Sequence, residues 1–463
     1  MGFFIIGIGS KAFANTKVLT LESYLQAVKA KNLNYQNAKL RIESAGISKD
    51  LEAIKHAPKL IVDGLESVSR FPRSVTTQAD RLDKQGLRLG FVQHSRYGLS
   101  AEGAFGFERN KLSGQISPLV EPEKQEYAAS ARSQVSVQLW QNAWGSLDQE
   151  EEKVRVHTES ARIKEQEFKQ LMILEQAKHS YWGLALAQKK LAVYQKIRGN
   201  AQNLLNFLRG REAKRLVNKI DVHQAISNDA LRQLELQRQK MNLSQLTFEF
   251  NHLRGLEGSE LLETLEVPST NDLLNISVTE NRKEREDLGA KLETKKAAIS
   301  QIVANREYLK PDLKFFVQLE KKRLDSNISA ATRKVWKASN SQTTYGLQFS
   351  YLLDRDLVNK SIQASEKLEK SLQVESQANK LENKKHLASL KEHIKLGKDY
   401  LQSTIYLEKV EKEKYRAQNK RYKLGQASTD EFLRFEDMYY DAQIVNLDAQ
   451  INLLMLVTEL QTY

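Results

Sequence analysis

Arg421-Tyr422-Lys423-Leu424-Gly425-Gln426-Ala427-Ser428, followed by Thr429 through Leu460, reads as a hairpin tip and the long helix that leaves it. Ser428 has the side chain of a helix N-cap, and Glu431 three residues on completes a capping box. Gly425 suits the end of an incoming helix, where a left-handed residue is needed. Beyond the cap, Phe432, Phe435, Tyr439, Ala442, Ala449, Leu453, Leu456 and Leu460 fall at a three-four spacing broken only by Asn446. That spacing is a coiled-coil seam.

A second seam runs on the same helix through Tyr440, Ile444, Leu447, Ile451 and Leu454. At about 100° of rotation per residue, the two stripes lie roughly 150° apart around the helix axis. A helix in a two-stranded coil needs one seam; a helix with seams on both flanks has a neighbour on either side. An angle short of a straight line makes the row of helices curve, so that it can close into a tube.

The same unit occurs earlier at an offset of 210 residues, a whole number of heptads. The offset carries Ser428 onto Asn218, Glu431 onto Asp221, Phe432 onto Val222, Leu453 onto Leu243, Leu456 onto Leu246 and Leu460 onto Phe250. The second seam maps as well, with Leu234 under Ile444 and Met241 under Ile451. The chain therefore reads as a tandem duplication. Asn218 and Asp221 are expected to cap the first return helix as Ser428 and Glu431 cap the second.

Composition narrows the class. Lysine and arginine number 71 against 58 acidic residues, a net charge of +13. The basic residues are spread along helical faces without a compact basic-aromatic motif, so a nucleic-acid partner is not expected. With no cysteine, a disulfide framework, a thiolate zinc site and a cysteine nucleophile are all excluded. No run of 18 apolar residues exists, which excludes a membrane-spanning helix on length and leaves a β-barrel open.

In chain order, Phe3 to Ile8 is a short apolar run, and Ala12-Phe13-Ala14 has the small-x-small form of a signal-peptidase site, so residues 1–14 read as a signal-peptide remnant. Repeat one spans 15–255. It opens with a helix from Leu19 to about Lys55, capped by Thr20 and stopped by Pro58. A strand region follows over 58–141, then a long helix over 146–210, a tip from Gly210 to Asn218, and the return helix over 218–255. Residues 256–277 are a connector. Repeat two, 278–463, has a helix from Val278 to about Glu307, strands within 311–353, a long helix over 357–424 and a return helix over 428–463. Helices of some 65 residues are roughly 100 Å long and must be supported side by side.

Within the strand regions, Val135, Val137 and Leu139 alternate with Gln134, Ser136 and Gln138, and Tyr345, Leu347, Phe349 and Tyr351 alternate with Gly346, Gln348 and Ser350. Each stretch has one apolar and one water-facing side. Pro311 to Glu320 supplies a partner in repeat two, with Phe316 breaking its alternation. In repeat one, Leu60 to Ser69, Gly86 to Gln93 and Tyr97 to Arg109 all qualify, and the longer span predicts an extra hairpin there. Trp140, Trp144, Tyr345 and Tyr351 at strand ends fit either an interfacial aromatic girdle or the packed aromatics of a soluble sandwich.

The order of these elements, with Arg421 to Ser428 at one tip and Leu216-Val217-Asn218-Lys219-Ile220-Asp221-Val222 at the other, resembles the TolC-like outer-membrane efflux family. The resemblance covers nearly the whole chain. It implies a mixed, mostly α fold in which three copies pool four strands each into a 12-stranded outer-membrane β-barrel, with the helices pooled into a trimeric periplasmic α-barrel. It further implies a passive exit duct for efflux or type I secretion in a Gram-negative outer membrane. The implied partners are a periplasmic adaptor, an inner-membrane transporter and outer-membrane lipid. By the same resemblance, adaptor docking falls to Arg421, Tyr422, Leu424, Gly425, Ala427 and Ser428 at one tip and to Arg211, Leu216, Val217 and Asn218 at the other. The first tip departs from the family pattern, with Arg215 where glycine is usual and Asn218 where serine is usual. A second departure is the basic run of Lys412, Lys414, Arg416, Lys420, Arg421 and Lys423, from which we hypothesise a pore less cation-selective than the family's; conductance in a planar bilayer tests that.

Nothing in the sequence suggests catalysis: there is no phosphate loop, serine elbow or isolated carboxylate pair, and no cofactor is expected. The eight histidines lack metal-ligand spacing, so surface or seam positions are expected for them and no metal site. The alternative function is a soluble or periplasmic coiled-coil scaffold or adaptor.

Overall fold

The computed structural model describes residues 18–70, 72, 80–114, 123–258, 260, 263–276, 286–337 and 340–461. The signal-like segment 1–14 and the Val278 to Arg285 part of the expected helix lie outside them. In chain order the elements are β1 (Val18–Leu19), α1 (Leu21–Lys31), α2 (Leu33–Asp50), β2 (Lys59–Arg70), β3 (Arg81–His94), β4 (Leu99–Ser113), β5 (Glu123–Gln138), α3 (Ser146–Glu212) and α4 (Lys219–Leu253). Then come β6 (Thr264–Leu265), α5 (Thr270–Leu274), α6 (Glu286–Tyr308), β7 (Asp312–Asp325), α7 (Ile328–Lys334), β8 (Ser341–Ser350), α8 (Arg355–Lys423) and α9 (Thr429–Leu460). The chain is mostly helical, with one large antiparallel sheet, and forms two compact units.

The first unit takes residues 1–43, 164–289 and 377–463. Its core joins Tyr24 and Val28 of α1 to Tyr181 and Leu184 of α3, Phe250 of α4, Leu390 and Ile394 of α8, and Ile451 and Leu453 of α9. Tyr24 stacks on Phe250 with ring centroids 4.0 Å apart and donates its hydroxyl to the Phe250 carbonyl at 3.2 Å. The single helix expected from Leu19 to Lys55 is broken at Asn32. There the side-chain amide leaves the helix to donate to the Leu253 carbonyl (2.9 Å), while its oxygen accepts from the Tyr35 amide (3.0 Å). Within the connector, β6 pairs in parallel with β1, and Ser269 and Asp272 form a capping box on α5.

The second unit takes residues 44–163 and 290–376 and holds a six-stranded sheet in the order β2-β3-β4-β5-β7-β8, antiparallel throughout. All three candidate strands of the first half form, so the sheet has six strands, where the family resemblance implied four per chain. The extra hairpin is the physical reason, because its long alternating strands carry their own cross-strand partners.

Register gives the sheet two unlike faces. Leu60, Phe91, Gly103, Ser133 and Leu319 lie in one paired row, and Val135, Val317 and Tyr345 in another on the same side. The opposite side carries Arg88, whose Nε donates to Asp63 at 2.9 Å, and Arg132, which donates to Gln134 at 3.2 Å. Phe316, the break in alternation, projects onto this polar side opposite Gly346. A Cβ there would lie 2.8 Å from its ring. Part of the apolar side is covered by α7, whose Ala331 packs with Val335 on Ala129 and Ala131.

The strand-to-helix corner after β5 turns on Trp144 and Gly145, with φ of 55° and 78°. A side chain at position 145 would collide with the Arg96 carbonyl, so glycine is required. Asn142 then starts α3 by accepting from the amides of Leu147 (2.9 Å) and Asp148 (3.2 Å).

Candidate functional site: the two hairpin tips

Both tips lie in the first unit, and their backbones are built alike. At the end of α8, Gly425 takes φ 74°, the Gln426 amide donates to the Arg421 carbonyl (2.9 Å) and the Gly425 amide to that of Tyr422 (2.9 Å). At the end of α3, Arg215 takes φ 56°, the Leu216 amide donates to the Arg211 carbonyl (2.9 Å) and the Arg215 amide to that of Glu212 (2.8 Å). Each is a Schellman turn, and every partner is related by the 210-residue offset. Arg215 therefore adopts the turn usually left to glycine, at the steric cost of a Cβ in the left-handed region. Gly210, expected to open this tip, lies inside α3.

The caps differ. The Ser428 hydroxyl accepts from the Glu431 amide at 3.2 Å, while Glu431 has its carboxylate 3.8 Å from Arg421. Asn218 stands at the N-cap of α4, but its side chain makes no capping bond. Only its carbonyl closes the first turn, accepting from Asp221 at 3.1 Å. The expected side-chain cap at Asn218 is thus corrected: an extended backbone and the carbonyl suffice there, and the exposed amide is left to solvent.

The structure brings the tips together. Leu204, Leu205 and Leu208 of α3, Val222 and Ala225 of α4, and Phe432 and Leu433 of α9 form one buried cluster, with Val217, Tyr415 and Tyr422 packed against it. Tyr422 stacks on Phe432 (4.7 Å) with its hydroxyl 3.3 Å from that of Thr429. Gln224 donates to Asp430 at 2.9 Å, and Arg232 pairs with both Glu235 (2.9 Å) and Asp437. Of the expected docking residues, Arg421, Leu424, Gly425, Ser428, Leu216 and Asn218 are exposed. Tyr422, Val217, Ala427 and Arg211 are half-buried, Arg211 resting its guanidinium over the Phe207 ring (5.3 Å). Tyr422 and Val217 thus support the turn from within, while the two leucines project from it.

Sequence reasoning missed a polar knot just above the tips. Glu436 of α9 is buried, and it accepts from Tyr415 (3.3 Å) and from Asn200 (3.4 Å), which also donates to Tyr440 at 2.6 Å. Burial pushes the Glu436 carboxyl above the ordinary carboxylate range and raises the Tyr415 and Tyr440 hydroxyls likewise. A glutamate inside a Phe-Tyr seam was the available signal. Among the described residues, no group of histidines and carboxylates could hold a metal ion, and no helix is long and apolar enough to cross a membrane.

No protein-family model and no curated protein matches the sequence. Solved structures do. The outer membrane protein VceC from Vibrio cholerae superposes with a TM-score of 0.68 at 13% identity, covering 95% of this chain and 94% of its own. The Campylobacter jejuni CmeC outer membrane channel gives 0.66 at 12%, covering 95% and 84%. The open state of the Neisseria gonorrhoeae MtrE outer membrane channel gives 0.65 at 13%, covering 96% and 88%. The chain has the fold of the TolC-like outer-membrane channels. In a TolC-like fold the return helices are expected to have neighbours on both flanks, and here they differ. On α9, Ile451 is 2% exposed; on α4, its counterpart Met241 is 74% exposed and Leu234 63%.

Proposed function

We propose that this chain is one protomer of a trimeric channel in a Gram-negative outer membrane, a passive, non-enzymatic exit duct of an efflux or type I secretion system. In this reading the sheet supplies barrel wall and the two repeats, 15–255 and 278–463, supply the staves of a periplasmic tube. Docking to a periplasmic adaptor, and through it to an inner-membrane transporter, falls to the tips at Arg421, Tyr422, Leu424, Gly425, Ala427, Ser428, Arg211, Leu216, Val217 and Asn218. No cofactor takes part.

The observation that carries this reading is the apolar side of the sheet where α7 leaves it bare. Leu60, Phe91, Val135, Leu319, Leu347 and Phe349 share that side and are all exposed. A soluble protein rarely leaves so continuous a patch uncovered, whereas a barrel turns it to lipid and keeps its polar side for the lumen. A second observation supports neighbouring copies. Ile220, Leu234, Met241 and Phe248 recur on α4 at multiples of seven and are exposed, a seam awaiting a helix.

Membrane fractionation tests the proposal. The chain should sediment with outer membranes and need detergent for release. Recovery in the soluble fraction would point to the coiled-coil scaffold instead.

A further inference from the structure

The sheet has two open edges. Among the described residues, β2 pairs only with β3 and β8 only with β7. As first and last of six antiparallel strands they run in opposite directions, so β8 of one copy laid beside β2 of the next continues the alternation. Long unpaired edges are templates for another strand, and a ring of copies removes them.

The glycines set the register. Gly103 faces Phe91 directly across the ladder and Gly346 faces Phe316, and in both cases the opposite ring occupies the space a Cβ would take. Gly64 of β2 differs from every other glycine within the six strands: no atom lies within 4 Å of its Cβ position, although Leu87 is its ladder partner. On the other edge, Tyr345 of β8 is 75% exposed on the apolar side, the side to which position 64 belongs. We propose that β8 of one copy pairs antiparallel with β2 of a second copy of this chain, with Tyr345 seated over Gly64.

That register sets Leu347 opposite Val62 and Phe349 opposite Leu60. All four are exposed, and all lie on the apolar side. A slip of one residue would turn the apolar set of one strand to the polar side of the other. Aromatic cover of a glycine is a recognised way of pinning register at sheet edges. With six strands from each of the three copies proposed above, the barrel closes at eighteen strands instead of twelve. That places its lumen in the range of about 16–18 strands, where an aqueous channel stays open. The pairing rests on the channel reading only for the count of three.

The chain has no cysteine, so crosslinking has no background. Directly opposed residues have Cβ atoms about 4.5–5.5 Å apart, close enough for a disulfide to form with small backbone adjustment. Full-length Gly64→Cys/Tyr345→Cys, oxidised in the membrane, should give two- and three-chain species on denaturing gels. Gly64→Cys/Thr343→Cys, one same-side position away, should give roughly fivefold less, about 1 kcal/mol of discrimination. Crosslinking confined to single chains, or equal yields from both pairs, would overturn the proposal. The particle mass of the unaltered chain is measured alongside. Three chains without the crosslink would reject this junction alone, whereas a single chain would reject the trimer as well. If the double variant does not assemble, density for the unaltered particle counts the strands directly: eighteen supports the junction and twelve refutes it.

Discussion

The two return helices, α4 and α9, share one pattern of residues but not one environment. On α9, the first-seam residues Phe432, Tyr439, Ala449 and Leu453 are buried, and so are the second-seam residues Tyr440, Ile451 and Leu454. Trp182 and Lys190 of α3 reach it through Thr458 (3.3 Å) and Asp448 (2.6 Å), and Tyr415 of α8 meets it by stacking on Tyr439 at 5.4 Å. On α4, burial is confined to the two ends, at Val222, Ala225, Thr247, Phe250, Asn251 and Leu253. The middle of its second seam is bare. The same pattern is buried along one helix and exposed in the middle of the other, and the proposed trimer would cover the exposed stretch.

The sharpest way to break this comparison is to truncate equivalent positions. Ile451→Ala should cost about 2–5 kcal/mol of folding stability, as buried aliphatic truncations do, read by urea unfolding. Met241→Ala should leave the stability of a single chain within about 0.5 kcal/mol. It should weaken association instead, by about 1.5–3 kcal/mol per interface, the value of burying such a side chain. Sedimentation in detergent at several dilutions checks the second half. Equal loss of folding stability at the two positions would erase the distinction.

The tips sharpen it further. Gly425→Val forces a β-branched residue to φ 74° and should destabilise by at least ~1–2 kcal/mol, whereas Arg215→Gly should stabilise by about 1 kcal/mol by relieving the same conformation. Thermal unfolding of both variants reads the pair. If Arg215→Gly gives no gain, the two turns are not equivalent.

At the caps, Ser428→Ala should cost about 1 kcal/mol and Asn218→Ala a few tenths at most, because only the first side chain accepts a backbone amide. Equal losses would restore the cap that Asn218 lacks here.

The smallest effect concerns pH. Burial raises the Glu436 carboxyl, so the folded chain binds this proton more tightly than the unfolded chain does. Its contribution is fully present below the ordinary carboxylate range and is lost as pH rises toward and through the raised value. Glu436→Gln should therefore flatten the decline in melting temperature over that window. A slope unchanged from the parent would assign the decline to other groups.

Much of this was legible in the residues. Ser428, the two seams and the 210-residue offset locate the helices and both turns, because period and caps are local signals. The alternation in Val135-Val137 and Tyr345-Leu347-Phe349 located two strands and their shared side. Three features were not legible for physical reasons. Asn32 breaks a helix only because the distant Leu253 carbonyl competes for its amide. Glu436 showed in the sequence only as a glutamate inside a Phe-Tyr seam; its partner Asn200, 236 residues away, could not be read from local pattern. The strand count carried over from the family resemblance failed because it belongs to other chains, while this chain's own span of turn-rich sequence already held the extra hairpin.

The central claim is that the bare seam of α4 is covered by another copy, and the mass of the detergent-extracted particle tests it most directly. Three chains arranged about a central opening, with Met241 protected from solvent labelling, is the expected result. A particle of one chain, with Met241 as accessible as an exposed methionine in a free helix, would contradict it.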